Sequence, residues 1–171
     1  QTVGGVPRGA GAGRALLQAA SRVSALGRDP GLGLPTIEDS RAGPLAALAA
    51  GMRHLAQTGH TGPVLLVACD LPFLTSQLLN LVARELRAGA QAAVPVAGGR
   101  LQPLAACYAP EVLPVAEALV AARQLSMRSL LAEIDVNRVE PETWGSVAGP
   151  DALVDVDTLD DLQAANRALL R

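Results

Sequence analysis

The sequence contains no lysine. All 14 basic residues are arginines, and together with 16 acidic residues they give a formal net charge of -2 over 171 residues. This balance excludes a polybasic nucleic-acid binder, and chemistry that needs an ammonium side chain cannot come from these residues. Aromatic residues make up only 2% of the chain, too few for a platform on which single-stranded nucleic acid could stack.

Cysteines and long apolar runs are scarce as well. Cys69 and Cys107 are the only two cysteines, and they form neither a CxxC pair nor a Cys/His pair. We therefore expect no zinc site and no disulfide framework. No apolar run approaches the ~18 residues that a membrane-spanning helix needs. The expectation is a soluble, cytoplasmic protein that binds neither membrane nor nucleic acid.

What the sequence does have is a regular alternation of patterns. Half of its residues are hydrophobic, and short apolar bursts alternate with alanine-rich stretches of helical periodicity, which is typical of α/β domains. We predict a single domain over residues 1–171, with three α/β/α layers around a mostly parallel sheet. The glycine-rich residues 4–13 are predicted to be flexible. Strands are predicted at residues 21–26, 36–39, 63–70, 91–96 and 104–108, and helices at residues 14–20, 45–54, 78–88, 114–122, 128–134 and 159–170.

The strongest predicted strand, residues 63–70, ends on an acid. It is apolar on both alternating faces, which favours a central parallel strand covered by helices on each side. Ligands of such sheets gather at the carboxyl ends of the strands, and Asp70 lies there. A carboxylate at this position could hold Mg²⁺, which usually takes one or two protein carboxylates together with substrate phosphates. The alternative is a surface aspartate that caps the turn or the next helix.

A second candidate lies before the helix predicted at residues 45–54. Asp39 ends a short predicted strand, and the following loop leads into a helix N-terminus, whose free N–H groups favour anions and polar ligand atoms. Gly43 would let the backbone approach a ligand closely, and Pro44 suits the first helical position. Ordinary turn roles for Asp39 and Gly43 remain open.

Two further pairs are weaker candidates. Asp155 and Asp157 alternate, so in an extended segment both carboxylates face the same side; they could share a metal or bind ribose hydroxyls, or cap the following helix. Arg100 and Gln102 follow the Gly98-Gly99 turn, where an arginine could bind a phosphate in bidentate fashion. The alternative for both residues is a solvated hairpin tip.

Taken in order, five segments resemble the molybdenum cofactor guanylyltransferase family, and the similarity runs from about Gly4 to the C-terminus. The segments are residues 37–40 (Ile-Glu-Asp-Ser), 43–48 (Gly-Pro-Leu-Ala-Ala-Leu), 69–74 (Cys-Asp-Leu-Pro-Phe-Leu), 100–104 (Arg-Leu-Gln-Pro-Leu) and 154–158 (Val-Asp-Val-Asp-Thr).

The resemblance implies a Rossmann-like nucleotidyltransferase fold and a defined reaction. The reaction is transfer of GMP from Mg-GTP to the terminal phosphate of molybdopterin, with release of pyrophosphate. By this resemblance Asp70 is the catalytic Mg²⁺ ligand and also a nucleotide-binding residue, and Asp39 and Gly43 bind the nucleotide. The resemblance also makes molybdoenzymes and other cofactor-assembly proteins candidate partners. Contacts to substrate or to a second metal fall to Arg100, Gln102, Asp155 and Asp157.

The chain departs from the family pattern in two places. Ser24 and Leu26 stand where asparagines are common, which weakens nucleoside contacts from that loop. The family's opening strand and its glycine-rich phosphate loop, with an arginine and a lysine, have no counterpart here. We expect that block to lie upstream of Gln1, and a polypeptide that starts at Gln1 to keep partial nucleotide binding with little or no turnover.

Two rival functions stay open on the sequence. One is a related nucleotidyltransferase that uses CTP or another acceptor. The other is a non-catalytic paralogue that binds molybdopterin or a molybdoenzyme, for which the missing phosphate loop is the supporting feature.

Overall fold

The computed structural model describes residues 2–3, 6–27, 29–38, 41–87 and 89–154. Asp39, Asp155, Asp157 and the helix predicted at residues 159–170 lie outside the described residues. The helices are α1 (Arg8–Ala19), α2 (Pro44–Gln57), α3 (Ser76–Arg84), α4 (Val112–Ala121), α5 (Met127–Glu133) and α6 (Pro141–Trp144). The strands are β1 (Thr2–Val3), β2 (Val6–Pro7), β3 (Ala25–Leu26), β4 (Thr36–Ile37), β5 (Val64–Val67), β6 (Ala92–Ala97), β7 (Arg100–Leu101), β8 (Ala105–Tyr108) and β9 (Val136–Val139).

The central sheet follows the order β5-β8-β6-β7, with β9 paired to β6. The predicted α/β architecture is confirmed, and the sheet is mixed: among the pairings that the structure describes in it, β5–β8, β6–β8 and β6–β7 are antiparallel and β6–β9 is parallel. Because β8 runs antiparallel to both β5 and β6, and β9 runs parallel to β6, strands β5, β6 and β9 share one direction and β8 is inserted between them in reverse. A separate pair, β3 and β4, is parallel.

Strand β5 differs from its prediction as a central strand. In the part of the chain that the structure describes, it pairs with β8 alone and ends the five-stranded sheet. All four of its residues are half-buried, whereas β8 is buried throughout. The apolar pattern of β5 correctly indicated helices on both faces, but it carried no information about the strand's second edge.

Helix α1 begins at Arg8, so the prediction of a flexible segment as far as residue 13 is wrong. The glycines are helical because close packing requires them. A Cβ at Gly11 would lie 3.0 Å from the Pro72 carbonyl oxygen, and one at Gly13 would lie 2.5 Å from Leu32 Cδ1. Tertiary packing therefore overrides the unfavourable helix propensity of glycine.

The core is divided between the two faces of the sheet, as expected for three layers. Helices α1, α3 and α6 cover one face, where Leu78, Leu79 and Trp144 are buried. Helices α2, α4 and α5 cover the other face, where Leu45, Leu130 and their neighbours are buried. The Trp144 indole Nε1 donates a 3.0 Å hydrogen bond to the Val96 carbonyl, which fixes α6 on β6.

No helix within the described ranges is long and apolar enough to cross a bilayer.

Candidate functional site

Asp70 lies just beyond the carboxyl end of β5 and is half-buried. The loop that carries it is anchored by Leu71 and Leu74, which are 6% and 5% exposed. Two buried leucines spaced three residues apart around a proline anchor the backbone of the loop that follows Asp70. We did not predict from the sequence that Leu71 and Leu74 are buried. Two leucines within a loop could have indicated it, because apolar side chains in a loop tend to pack against the core.

The carboxylate of Asp70 is not the cap of the next helix. Thr75 caps α3, and its Oγ1 accepts a 3.3 Å hydrogen bond from the Leu78 N–H. Among the residues that the structure describes, no hydrogen bond or ion pair engages Asp70. An aspartate that caps nothing and pairs with nothing in this region is free to bind a cation or a ligand.

Cys69 precedes Asp70 and is exposed. Partial desolvation of the sulfur, and secondly the Asp70 carboxylate beside it, raise the pKa of the Cys69 thiol. This shift disfavours the thiolate form of Cys69. The hard oxygen ligand at this position is Asp70.

Gly43 is the N-cap of α2, with φ 113° and ψ 172°, a backbone conformation that favours glycine. A Cβ at this position would also lie 3.4 Å from the Leu125 carbonyl oxygen. No side chain caps the helix, and Pro44 follows within its first turn. The first-turn N–H groups of α2 therefore point outward without an intrahelical partner, as donors for a ligand.

Two further segments reach the edge of the molecule that carries Asp70. The register that pairs Val67 with Ala105, together with the 2.8 Å bond from the Ala68 N–H to the Leu104 carbonyl, brings the segment just before β8 to the end of β5 that carries Asp70. Gln102 is in that segment. The start of α1 reaches the same edge, because Gly11 packs against Pro72.

Gln102 and Arg100 have different surroundings. Gln102 is half-buried, and its backbone N–H donates a 2.8 Å hydrogen bond to the Pro95 carbonyl. Arg100 is exposed beside a turn in which Gly98 and Gly99 both have positive φ, 56° and 73°. This is the type of tight hairpin turn that two glycines favour. The structure thus brings Gln102 toward Asp70, while Arg100 lies at a solvated hairpin tip.

The donor set for a metal ion is sparse. No group of three His, Cys, Asp or Glu side chains that could hold a metal occurs among the described residues. A single carboxylate suits Mg²⁺, which often keeps waters and binds substrate phosphates in addition to one or two carboxylates. The residues present therefore fit a magnesium ion that arrives with a phosphorylated ligand and do not fit a protein-caged transition metal.

Comparison with known proteins adds a family context to this geometry. The MobA-like NTP transferase domain model matches residues 2–139. A probable molybdenum cofactor guanylyltransferase of Bacillus subtilis (strain 168) is 33% identical over 95 residues, which cover 56% of this chain and 47% of that protein. The chain thus spans about half the length of this curated relative.

Two solved structures have the same fold. Molybdopterin-guanine dinucleotide biosynthesis protein A from Archaeoglobus fulgidus aligns with a TM-score of 0.74 at 22% identity, over 98% of this chain and 96% of that chain. The 2-C-methyl-D-erythritol 4-phosphate cytidylyltransferase from Thermus thermophilus aligns with a TM-score of 0.65 at 21% identity, over 99% and 92%. At these identities the likeness shows a Rossmann-like nucleotidyltransferase fold and does not distinguish between nucleotides.

Proposed function

Because the chain belongs to the MobA-like NTP transferase family, we propose that it acts as a nucleotidyltransferase in molybdenum cofactor synthesis. The substrates of this proposal are Mg-GTP and molybdopterin, and the products are the guanine dinucleotide cofactor and pyrophosphate. The names of the Bacillus relatives support the choice of acceptor and nucleotide. The observation that carries the proposal is the Asp70 carboxylate at the carboxyl end of β5, which stands on a loop anchored by buried leucines and which no described side chain engages.

The proposed reaction exchanges one phosphoanhydride bond for another. An oxygen of the terminal phosphate of molybdopterin attacks the α-phosphorus of GTP, and the bond from that phosphorus to the oxygen bridging to the β-phosphate breaks. Pyrophosphate carries away the electron pair. Such transfers need little covalent help from a protein, and they depend on in-line positioning and on neutralising the charge on phosphate oxygens.

Asp70 would hold the magnesium ion of the nucleotide. When bound, Mg²⁺ supplies positive charge to the phosphate oxygens. The protein contributes by positioning this ligand, because the buried leucines on either side of Pro72 anchor the backbone next to Asp70. A fixed ligand does not need to be ordered when the substrate arrives, so less conformational entropy is lost on binding.

The start of α2 would receive the nucleoside. Its unpaired first-turn N–H groups can donate to oxygens of a base or a ribose, and Gly43 keeps side-chain atoms out of their way. Asp39, five residues before Pro44, is proposed as the acidic partner of the nucleoside. Arg100, Gln102, Asp155 and Asp157 are proposed contacts to the acceptor, to pyrophosphate or to a second metal.

Nucleotide titration tests this proposal directly. The midpoint of thermal unfolding is measured with GTP and with CTP in Mg²⁺, because a ligand that binds only the folded state raises it. At a concentration about 100 times the Kd, GTP should raise the midpoint by about 5 to 10 °C. Asp70→Asn should abolish the rise. Asp135→Asn should leave it intact, because Asp135 is an exposed aspartate directly before β9, at the opposite edge of the sheet from the carboxyl end of β5. An Asp70→Asn variant that responds like the parent would contradict the proposal.

A second candidate is a cytidylyltransferase reaction, because the Thermus thermophilus enzyme has the same fold and the fold does not distinguish between nucleotides. The same titration separates the two candidates. Stabilisation by CTP in place of GTP would support the second candidate. No stabilisation by either nucleotide would favour the non-catalytic binding protein.

A further inference from the structure

Arg123 has a backbone conformation that favours glycine. Its φ is 60°, and it lies just beyond the C-terminal end of α4. The Arg123 N–H donates to the Val120 carbonyl at 3.0 Å. The Gln124 N–H donates to the Leu119 carbonyl at 2.9 Å. This pair of bonds is the Schellman motif that ends many helices, and glycine usually takes its left-handed position. An arginine therefore stands where a residue without a side chain would be more stable.

One other residue shares this property and lies near the same place. In the ranges that the structure describes, Arg41 and Arg123 are the two residues other than glycine with positive φ, 54° and 60°. Arg41 precedes Gly43 by two residues, and Arg123 precedes Leu125 by two. The two segments are in contact, because a Cβ at Gly43 would lie 3.4 Å from the Leu125 carbonyl oxygen. Unfavourable backbone conformations of this kind concentrate at functional sites, and both of these flank the start of α2.

The start of α2 is close enough for Arg123 to contact a ligand held there. Two residues of chain span at most about 7 Å, so the backbone of Arg123 lies within that distance of Leu125. Leu125 in turn packs against Gly43, the N-cap of α2. Arginine has one of the longest side chains, and a ligand on the first turn of α2 is therefore within reach of the Arg123 guanidinium.

Contacts inside the protein do not account for this arginine. Arg123 is exposed, and its side chain forms no ion pair or hydrogen bond with any residue that the structure describes. The acid of α4, Glu117, is engaged by Arg53 at 2.8 Å. The donors of the Arg123 guanidinium are therefore available to a ligand, and no bond within the described part of the chain offsets the unfavourable backbone.

We infer that Arg123 is a specificity-determining residue, whose guanidinium donates to O6 and N7 of a guanine base held at the start of α2. This inference rests on the proposed function, which places the nucleoside there. Guanine presents two acceptors, O6 and N7, that a guanidinium binds in bidentate fashion. The same edge of adenine pairs an acceptor with a donor, and that of cytosine presents a donor. The contact therefore favours GTP over ATP and CTP, a choice that the shared fold does not make.

Two nucleotides that differ at one ring position test this contact. 7-Deaza-GTP has a carbon in place of N7 and the same charge as GTP, so the ratio of the two Kd values reports the N7 contact. Both are titrated calorimetrically, in Mg²⁺, into the 171-residue chain. The parent should bind GTP at least about fivefold more tightly than 7-deaza-GTP. In Arg123→Gly the ratio should fall to near one, because the donor to N7 is gone.

Glycine is the informative replacement because it relieves the unfavourable backbone conformation. Without nucleotide, Arg123→Gly should raise the midpoint of thermal unfolding by about 2 to 4 °C. Weaker GTP binding by this variant is then not a result of unfolding. A lower midpoint would overturn the inference, because the arginine would then stabilise the fold through its charge at the C-terminal end of α4.

Arg128 provides the matched charge control. It is exposed in the first turn of α5, three residues after Leu125, so Arg128→Ala removes the same charge nearby and should leave the ratio unchanged.

The outcomes separate this inference from the proposed function. A parent that binds GTP and 7-deaza-GTP equally would overturn the inference alone. So would a ratio that stays high in Arg123→Gly, or one that falls as far in Arg128→Ala. Binding of neither nucleotide by the parent chain would overturn the proposed function and the inference with it.

Discussion

Two regions of the molecule differ in how completely their strands are buried. In the middle of the five-stranded sheet, β8 is buried throughout and β6 is buried except at its last residue. Around the cavity of about 560 Å³ that β3 and β5 line, every residue of these two strands is only half-buried, although β5 has the more hydrophobic sequence. β6 has partners on both edges and β5 on one. A strand whose two faces are covered by helices is therefore still only half-buried when one of its edges has no partner strand.

Leucine truncations should separate the two regions most strongly. Leu78 is fully buried in the packed region, so Leu78→Ala should lower the free energy of unfolding by about 3 to 5 kcal/mol. Leu26→Ala, at the cavity wall, should cost about 1 kcal/mol, because few of its contacts are with packed neighbours. Urea unfolding measures both variants. Equal losses would mean that the cavity region is packed as tightly as the rest.

Alkaline pH probes the packed region through Cys107. Burial raises the pKa of its thiol from 9.0 to about 11. A raised pKa stabilises the fold below the unfolded-state value, and this contribution is lost as the pH rises from about 9 to about 11. The loss is about 2 to 3 kcal/mol. Urea unfolding measures the free energy of unfolding at pH 8 and at pH 11. Its decrease between the two pH values should be smaller in Cys107→Ala than in the parent protein, by about 2 to 3 kcal/mol.

Cys69 provides the control for that experiment. It is exposed, so Cys69→Ala should retain most of the decrease in unfolding free energy between pH 8 and pH 11. A Cys107→Ala variant that loses as much stability as the parent would contradict the assignment. Tyr108, whose pKa is raised mainly by burial and secondly by Cys107, adds a loss above about pH 10 in all variants.

Substitution of the two glycines that flank α2 should distinguish the effect of backbone strain from a role in the site. Gly43 and Gly59 have φ 113° and 82°, and a Cβ at Gly59 would meet nothing within 4 Å. Alanine at either position should cost about 1 to 2 kcal/mol of unfolding free energy through strain. Gly43→Ala alone should also weaken Mg-GTP binding, by about tenfold, in a calorimetric titration. Equal weakening by Gly59→Ala would remove Gly43 from the site.

The smallest effect is expected from the ion pair that links α2 to α4. Arg53 and Glu117 are 2.8 Å apart, with side chains 54% and 39% exposed. A double-mutant cycle with alanine at both positions should give a coupling of about 0.2 to 1 kcal/mol, and the coupling should decrease in high salt. A coupling above about 2 kcal/mol would indicate a buried, structural pair, contrary to this exposure.

The repeating patterns of the sequence predicted most of the central elements. The runs that became β5, β6 and β8 were visible as apolar strands, and α2 was visible because Pro44 marks its start. The position of Asp70 was predictable too, since it follows an apolar strand directly. These are local features, and local patterns are what hydrophobic periodicity reports.

Features that depend on distant contacts were not predictable. The helical start of α1 depends on Gly11 packing against Pro72, sixty-one residues away along the chain. The reversed direction of β8 and the parallel strand β9 depend on partner choice, which alternation does not specify. The contact between Leu125 and Gly43 likewise had no local signal. The roles of the candidate site residues stay predictions until nucleotide binding is measured.

Amide hydrogen exchange on the 171-residue chain tests the central comparison most directly. In β5 the account predicts alternation, with slow exchange at Leu66, which bonds to β8, and fast exchange at Leu65 and Val67, which face the cavity. In β6, paired on both edges, it predicts uniformly slow exchange at Ala92, Ala93 and Val94. Equally slow exchange at all of these β5 amides would contradict it, because the second edge of β5 would then already be paired.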